Sequence, residues 1–349
     1  MPNTIDLYNP KQMTEALLES FPVTRFLTAT FFGEQVHDTK SFQIDIWKGS
    51  RRLAPVVHPK LKGKVVDREK FRTLEFTPPY LKPKKVTEAD HVLARVPGEI
   101  VYTGAGANTP AQRAAILLGQ DMADLDESIQ RRIEVMAAEA LFSGQVTVKG
   151  DGVDTIVDYD FDATHTPVLT GAALWTATTS KILKNLRDWK RLISKDSGVT
   201  ATDVILGQDA AAAFLENEEL LKQLNVYNLN IGSVNPQEMG EGVTFLGRLT
   251  AVGLNIWTYD EWYVDEATGN ELPMVPVDKC LVISRSIRAT IHYGVIQDIG
   301  ATVYASRAFV KSWVEEDPAA RFLMVQSAPL PVVHQVNALV VATVVATVV

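Results

Sequence analysis

The chain has one cysteine, Cys280, among 349 residues. No disulfide can form within it, and no cysteine metal cluster can be built. Its six histidines are scattered, with no H-E-x-x-H pair, so a zinc site has no support. The start, MPNTIDLYNPKQM, lacks both the basic opening and the apolar run of a signal peptide. With a lone cysteine, the simplest expectation is synthesis and work in a reducing cytoplasm. G-x-S-x-G, S-x-x-K and G-x-x-x-x-G-K-[ST] are all missing, which removes the local signatures of several hydrolases and of P-loop enzymes. Long apolar runs are missing too, except at the C-terminus. ALVVATVVATVV (338–349) is uncharged but only 12 residues long, whereas a spanning helix needs about 20. Its β-branched valines predict a buried strand rather than a membrane segment, and such a strand must be covered. A net charge of −8 argues against wholesale nucleic-acid binding.

What is present is an ordinary globular composition, 46% hydrophobic and 22% charged, in a chain long enough for two domains or one with large insertions. The charge is segregated. Residues 48–85 hold 12 Lys+Arg against three acids, a net of +9, so the remainder carries −17. This basic stretch is flanked by extended patterns, FQIDIW (42–47) and residues 71–76, and ends in LEFTPPYLKPKK (74–85). Pro78, Pro79 and Pro83 have fixed backbone angles and no amide hydrogen, so this segment is neither helix nor central strand. The pattern predicts a long two-stranded excursion from the body. It has little apolar content of its own, and an isolated hairpin is marginal in water, so something else must hold it.

A long helix follows. Thr109, Pro110 and Gln112 form a capping box with proline at the first helical position, and Gly144 is placed to end the helix. Met122, Leu125, Ile129, Ile133, Met136 and Ala140 mark one apolar stripe, as on a strut laid along a sheet. QVTVKG and DTIVDYDFD read as strands, the latter with Asp158, Asp160 and Asp162 on one face. A second helix is expected at 179–195 with Ile182, Leu186, Trp189 and Ile193 inward. DVILG (203–207) reads as a buried strand, Asp209 as the cap of the next helix, and 243–263 and 280–297 as short strands. The fold class is α+β.

Two local patterns invite a site. EIVYTGAGANTPAQ places Gly104 and Gly106 between a strand and a helix, as in a pyrophosphate cradle, but Thr109 stands at the third glycine position and no acid-tipped second strand follows. Asp158, Asp160 and Asp162 have calcium-loop spacing, but Ala163 and Leu169 occupy the positions that need glycine and glutamate. No catalytic residue, cofactor or metal is predicted. The basic stretch with Phe71, Phe76 and Tyr80 could stack bases; its acidic context favours a protein partner.

LEFTPPYLKPKK, the long helix, VDKCLVISRSIRATIHYGVIQD and DPAARFLMVQSAPLPVV occur in an order that resembles the lambda-type major capsid proteins of tailed bacteriophages. The string EEDPAARFLMVQSAPL is the most specific, RFLTATFFGEQ fits as well, and the resemblance runs from about residue 21 to about 335. It implies the Hong Kong 97-like capsid fold: an N-terminal arm (1–41), an extended hairpin or E-loop (42–86), a peripheral domain (87–176 and 304–349) with a spine helix (109–142), and an axial domain (177–303). It further implies self-assembly into hexamers and pentamers of an icosahedral shell around double-stranded DNA, in a virion assembled in the host bacterial cytoplasm. The hairpin would reach a neighbouring subunit, making Arg51, Arg52, Lys60, Lys62, Lys64, Pro78, Pro79, Tyr80, Lys82 and Lys84 the candidate contacts between subunits. Some relatives carry a cleaved N-terminal scaffold; here the scaffold is expected to be a separate protein, beside portal and decoration proteins. Some relatives cross-link a lysine to an asparagine, for which Lys60, Lys62 and Lys64 are candidates. An encapsulin-like shell of the same fold and a nucleotide-binding enzyme using Gly104 and Gly106 are the alternatives.

Overall fold

The structure is a computed structural model that describes residues 9–20, 25–47, 62, 71–88, 90–91, 109–150, 152–217, 220, 232–240, 242–266, 268–301, 305–317 and 319–346. In chain order come α1 (Pro10–Ser20), α2 (Phe26–Phe31), β1 (Gly33–Val36), β2 (Phe42–Trp47), β3 (Phe71–Phe76), β4 (Lys84–Glu88) and α3 (Pro110–Phe142). Then follow β5 (Gln145–Gly150), β6 (Val153–Asp158), α4 (Ile182–Ser197), β7 (Asp203–Leu206), α5 (Gln208–Glu216), β8 (Gly232–Gly240), β9 (Val243–Leu249) and β10 (Leu254–Tyr259). The chain closes with β11 (Trp262–Val264), β12 (Glu271–Pro273), β13 (Lys279–Ile283), β14 (Ala289–Tyr293), β15 (Phe309–Glu316), β16 (Ala319–Gln326), β17 (Pro329–Val333) and β18 (Leu339–Thr343).

The helix α3 runs 33 residues, about 50 Å at ~1.5 Å per residue. The Thr109 hydroxyl accepts the Gln112 amide at 3.3 Å, the Gln112 side chain accepts the Thr109 amide at 2.8 Å, and Gly144 takes φ +70° beyond the last turn. All six residues of the expected stripe are buried. The helix lies against α1, α2, β5 and the strands β16 and β17. Three polar side chains, Asp126, Gln130 and Glu134, are buried in the same stretch, Glu134 most deeply. Glu134, fully buried, accepts the backbone N–H groups of Leu27 (2.6 Å) and Thr28 (3.0 Å) at the start of α2. Burial pushes its carboxyl upward, opposed by those hydrogen bonds. Tyr259 on β10 lies 3.2 Å from Glu134 and donates to Glu261 at 2.6 Å, and Glu261 in turn pairs with buried Arg25 at 2.6 Å.

A six-stranded sheet, β18-β13-β7-β10-β9-β8, forms the second core with α4 and α5. Its centre is β7, buried along its whole length, parallel to β10 and antiparallel to β13. Within the valine-rich C-terminal run, Leu339–Thr343 form a buried strand, β18, paired with β13. It thus joins the sheet built from residues 203–283 and leaves β15–β17 behind. Among the described residues no helix is long and apolar enough to cross a membrane. Two local expectations change. Gly207, and not Asp209, is the cap of α5, with Asp209 in its first turn. A Cβ at Gly207 would lie 2.1 Å from the Pro276 carbonyl oxygen, so the close approach of two backbones dictates glycine. The Asp158–Asp162 alternation also breaks: β6 ends at Asp158, Asp160 takes φ +57°, and Asp162 caps a short 3-10 turn by accepting the Thr164 amide. Sequence alternation could not reveal that local turn chemistry had replaced the strand.

Replacing Glu134 with alanine leaves the Leu27 and Thr28 amides without their acceptor inside a packed core, each at a cost of about 1–3 kcal/mol. Urea unfolding of Glu134→Ala should show a loss of that size, with Glu134→Gln intermediate because its amide oxygen still accepts. Unchanged stability in both variants would show that water or another group takes the carboxylate's place.

Candidate assembly interface

The excursion begins as an antiparallel ladder, β2 against β3, from Phe42↔Phe76 to Trp47↔Phe71. Arg51, Arg52, Lys60 and Lys64 lie outside the described residues, as do Gly104 and Gly106; Lys62 is exposed. The ladder closes at Phe76. From there the chain runs along the body instead of with the arm. Leu81 exchanges backbone hydrogen bonds with Ser327 (2.8 and 3.0 Å), and β4 joins β16 from Met324↔Lys84 to Ala320↔Glu88.

The proline segment is therefore the arm's foot. Pro78 and Pro79 are buried. Pro78 packs on Gly294 so closely that a Cβ there would stand 2.4 Å from the proline ring. The Tyr80 hydroxyl donates to Gln326 (3.0 Å) and accepts the Gln297 amide (2.8 Å). Burial, with Asp298 nearby, raises its pKa above the ordinary phenol value. Lys82 and Lys84 are exposed, yet their ammonium groups sit over rings of the same chain, Tyr80 at 4.4 Å and Phe322 at 5.5 Å. Lys85 reaches back to Asp121 (3.1 Å) and Asp124 on α3. Of the ten candidate contacts, the structure brings Pro78, Pro79, Tyr80, Lys82 and Lys84 together as an anchorage on the subunit's own body.

The other leg of the arm has a root that spacing could not reveal. His37, after β1, His292 on β14 and His334, after β17, form a line: His37 Nε2 lies 2.7 Å from His292 Nδ1, and His292 Nε2 lies 3.1 Å from His334 Nε2. Phe42, the first arm residue, stacks on His37 and His292 with ring centroids 4.6 and 5.0 Å away. The three histidines stand 255 and 42 residues apart in sequence. Only the parallel pairing of β1 with β14, and the antiparallel pairing of β14 with β17 on its other side, assembles them. His292 uses a different nitrogen toward each neighbour, so the three do not converge on one point. Burial lowers the His292 pKa to about 3, helped by His334 and His37. Charged groups on the same elements are otherwise occupied or peripheral: Glu34 pairs with Arg307 at 3.8 Å, and Asp38 and Arg288 flank the strands.

A subunit with a long strut helix, a hairpin arm and a body that grips the arm's base has the form of a shell-building protein, a part made to be completed by copies of itself. The model for phage major capsid protein E matches residues 9–344. The major capsid protein of Escherichia phage lambda is 25% identical over 334 residues, covering 93% of this chain and 96% of the relative. The major capsid protein of Enterobacteria phage phi80 is 25% identical over 344 residues, covering 96% and 98%. Among solved structures, a capsid protein of an E. coli CFT073 prophage superposes with a TM-score of 0.73 at 18% identity, covering 97% of this chain and 99% of that one. The chain belongs to the phage major capsid protein E family. It has the Hong Kong 97-like fold and is a structural subunit of the phage shell, not an enzyme. Of the two alternatives, the nucleotide-binding enzyme falls with this, and the curated relatives carry capsid and head-protein names.

Linkage at the histidine line has a definite sign. His292 has a folded pKa below its unfolded value of ~6.5, so it contributes stability above pH ~6.5 that is lost as pH falls toward 3. The limiting slope for one group is about 1.4 kcal/mol per pH unit. Asp203 and Asp298, whose pKa values are lowered by Arg285 and by Gln326 and Lys311 respectively, are disturbed only below the ordinary carboxylate range. Unfolding midpoints measured between pH 7 and 5 should therefore fall for the native chain and stay flatter for His292→Leu. Parallel curves would assign the acid sensitivity elsewhere.

Proposed function

We propose that the chain assembles into hexamers and pentamers of a closed icosahedral shell, with the basic arm of each subunit laid on its neighbour, and that the shell encloses double-stranded DNA without reading its sequence. The observation that carries this reading is the anchorage just described: both legs of the arm are gripped at the root, by the histidine line and by the proline foot, while Arg51, Arg52, Lys60, Lys62 and Lys64 belong to the segment beyond the ladder. The division into N-arm, E-loop, peripheral and axial regions is part of this reading. Two adjustments are made: the arm's return leg joins the body from residue 77, and β18 is counted with the axial sheet. Separate scaffold, portal and decoration proteins are the expected partners, and assembly is placed in the host bacterial cytoplasm.

The roles of the basic residues then divide. Arg51 and Arg52 face the neighbour, whereas Lys82 and Lys84 hold the foot. Single exposed ion pairs contribute only about 0–1 kcal/mol, but the same contact recurs at every subunit of a closed shell, and complementary fields set register and encounter rate. Arg51→Glu with Arg52→Glu should abolish shells in electron micrographs while the circular dichroism of the soluble subunit stays native. Normal shells from that variant would show the arm charge to be idle, and an unfolded variant would show that the arm belongs to its own core.

The DNA-facing part of the reading rests on the −17 carried outside residues 48–85. An acidic lining repels a phosphate backbone and lets it pack without sticking. Purified subunits should show no duplex DNA binding at micromolar protein and physiological salt; retention of DNA under those conditions would overturn it.

A further inference from the structure

The hairpin β11–β12 leaves the body between β10 and β13, with Trp262↔Pro273, Tyr263↔Leu272 and Val264↔Glu271 in register. Alternation turns Tyr263 toward α3, where Glu139 and Arg132 act on its hydroxyl. The opposite face carries Trp262 and Val264, 48% and 63% exposed, and Leu272 is 38% exposed. Large apolar side chains grouped on one protruding hairpin are not a default surface. Trp262, Tyr263, Val264 and Glu271 line a groove of about 360 Å³.

The groove is set in acid. Residues 260–271 hold five carboxylates, Asp260, Glu261, Asp265, Glu266 and Glu271, and no lysine or arginine. Glu261 is committed to Arg25 and Tyr259, and Asp265 to the turn at Thr268. Asp260, Glu266 and Glu271 are exposed on the rim. A partner that fits must offer positive charge interleaved with apolar side chains. One segment of the same polypeptide has that composition. Between Trp47 and Phe71 the sequence places Leu53, Val56, Val57, Leu61, Val65 and Val66 among Arg51, Arg52, Lys60, Lys62 and Lys64. Out and back, these 23 residues span at most about 35 Å beyond the ladder at ~3.3 Å per residue.

We propose that the β11–β12 hairpin is the receptor for the arm of a second copy, with Trp262 and Val264 covered by the arm's aliphatic residues and Asp260, Glu266 and Glu271 meeting its lysines and arginines. This rests on the reading that the arm reaches a neighbour, and names where it lands. Tryptophan is the residue type most often found to dominate an interface, and a desolvated apolar centre inside a charged rim is the usual anatomy of one.

The test uses the full chain. Unlabelled and ¹⁵N-labelled subunits are mixed before assembly, and the shells are treated with a zero-length carbodiimide, which joins lysine amines to carboxylates in contact. Peptides joining Lys60, Lys62 or Lys64 to Glu266 or Glu271 across the two isotopes, present in shells and absent from unassembled subunits, are the expected result. Arm lysines joined across isotopes only to carboxylates elsewhere would overturn the receptor assignment and leave the arm reading standing. Arm lysines joined only within one isotope would overturn both. Trp262→Glu with Val264→Glu, both at exposed positions, should lower shell yield by about tenfold or more with native circular dichroism, an effect of ~1.4 kcal/mol or more. Undiminished yield from that folded variant counts against the site even if the cross-links appear.

Discussion

A single buried carboxylate ties the parts of this subunit together. Glu134 lies within the apolar stripe of a 33-residue helix, where an unpaired charge would cost several kcal/mol. It is tolerated because the N-terminus of α2 presents two amide hydrogens to it, and because a helix N-terminus favours negative charge. The consequence is positional. With α2 held on the strut by directed bonds, Phe26 rests on Trp257 and Tyr259 of β10 at 5.3 and 5.7 Å, and Arg25 is delivered to Glu261. Apolar packing alone would allow α2 to slide along α3; two hydrogen bonds to one carboxylate do not.

The same helix organises the arm. It supports β16 and β17; β16 carries Gln326, a partner of the proline foot, and β17 leads directly into His334 of the histidine line. The two roots differ in chemistry. The foot combines steric packing, Pro78 against Gly294, with hydrogen bonds from Tyr80 to Gln326 and from the Gln297 amide to Tyr80, and with Lys82 and Lys84 over aromatic rings. The histidine root centres on His292, whose pKa burial lowers to about 3.

Much of the framework was readable from residues alone. The capping box at Thr109, the stripe on α3, the inward face of α4, the buried strand at 203–206 and the covered valine run all follow from local periodicity and capping, which need only near neighbours in sequence. The exceptions share a cause. Asp209 looked like a cap because acids cap helices, but the β7–α5 turn runs against residues 276–277, and backbone contact there admits only glycine. The Asp158–Asp162 alternation looked like a strand, but hydrogen bonds donated by the Asp160 and Thr164 amides to the Asp158 and Asp162 carboxylates turned the chain.

The sequence by itself determined that this chain is a helix-and-strand body with an oppositely charged arm, because composition, charge blocks and periodicity are properties of contiguous residues. It also carried the strings that mark the family. Tertiary structure alone decided which residues meet across hundreds of positions: His37 with His292, Tyr80 with Gln297 and Gln326, Glu134 with the start of α2, and β18 with β13. It also decided that Lys82 and Lys84 turn onto their own chain while Trp262 and Val264 stay exposed. Burial and ladder register are set by the packing of whole elements, and no local pattern encodes which strand lies beside which.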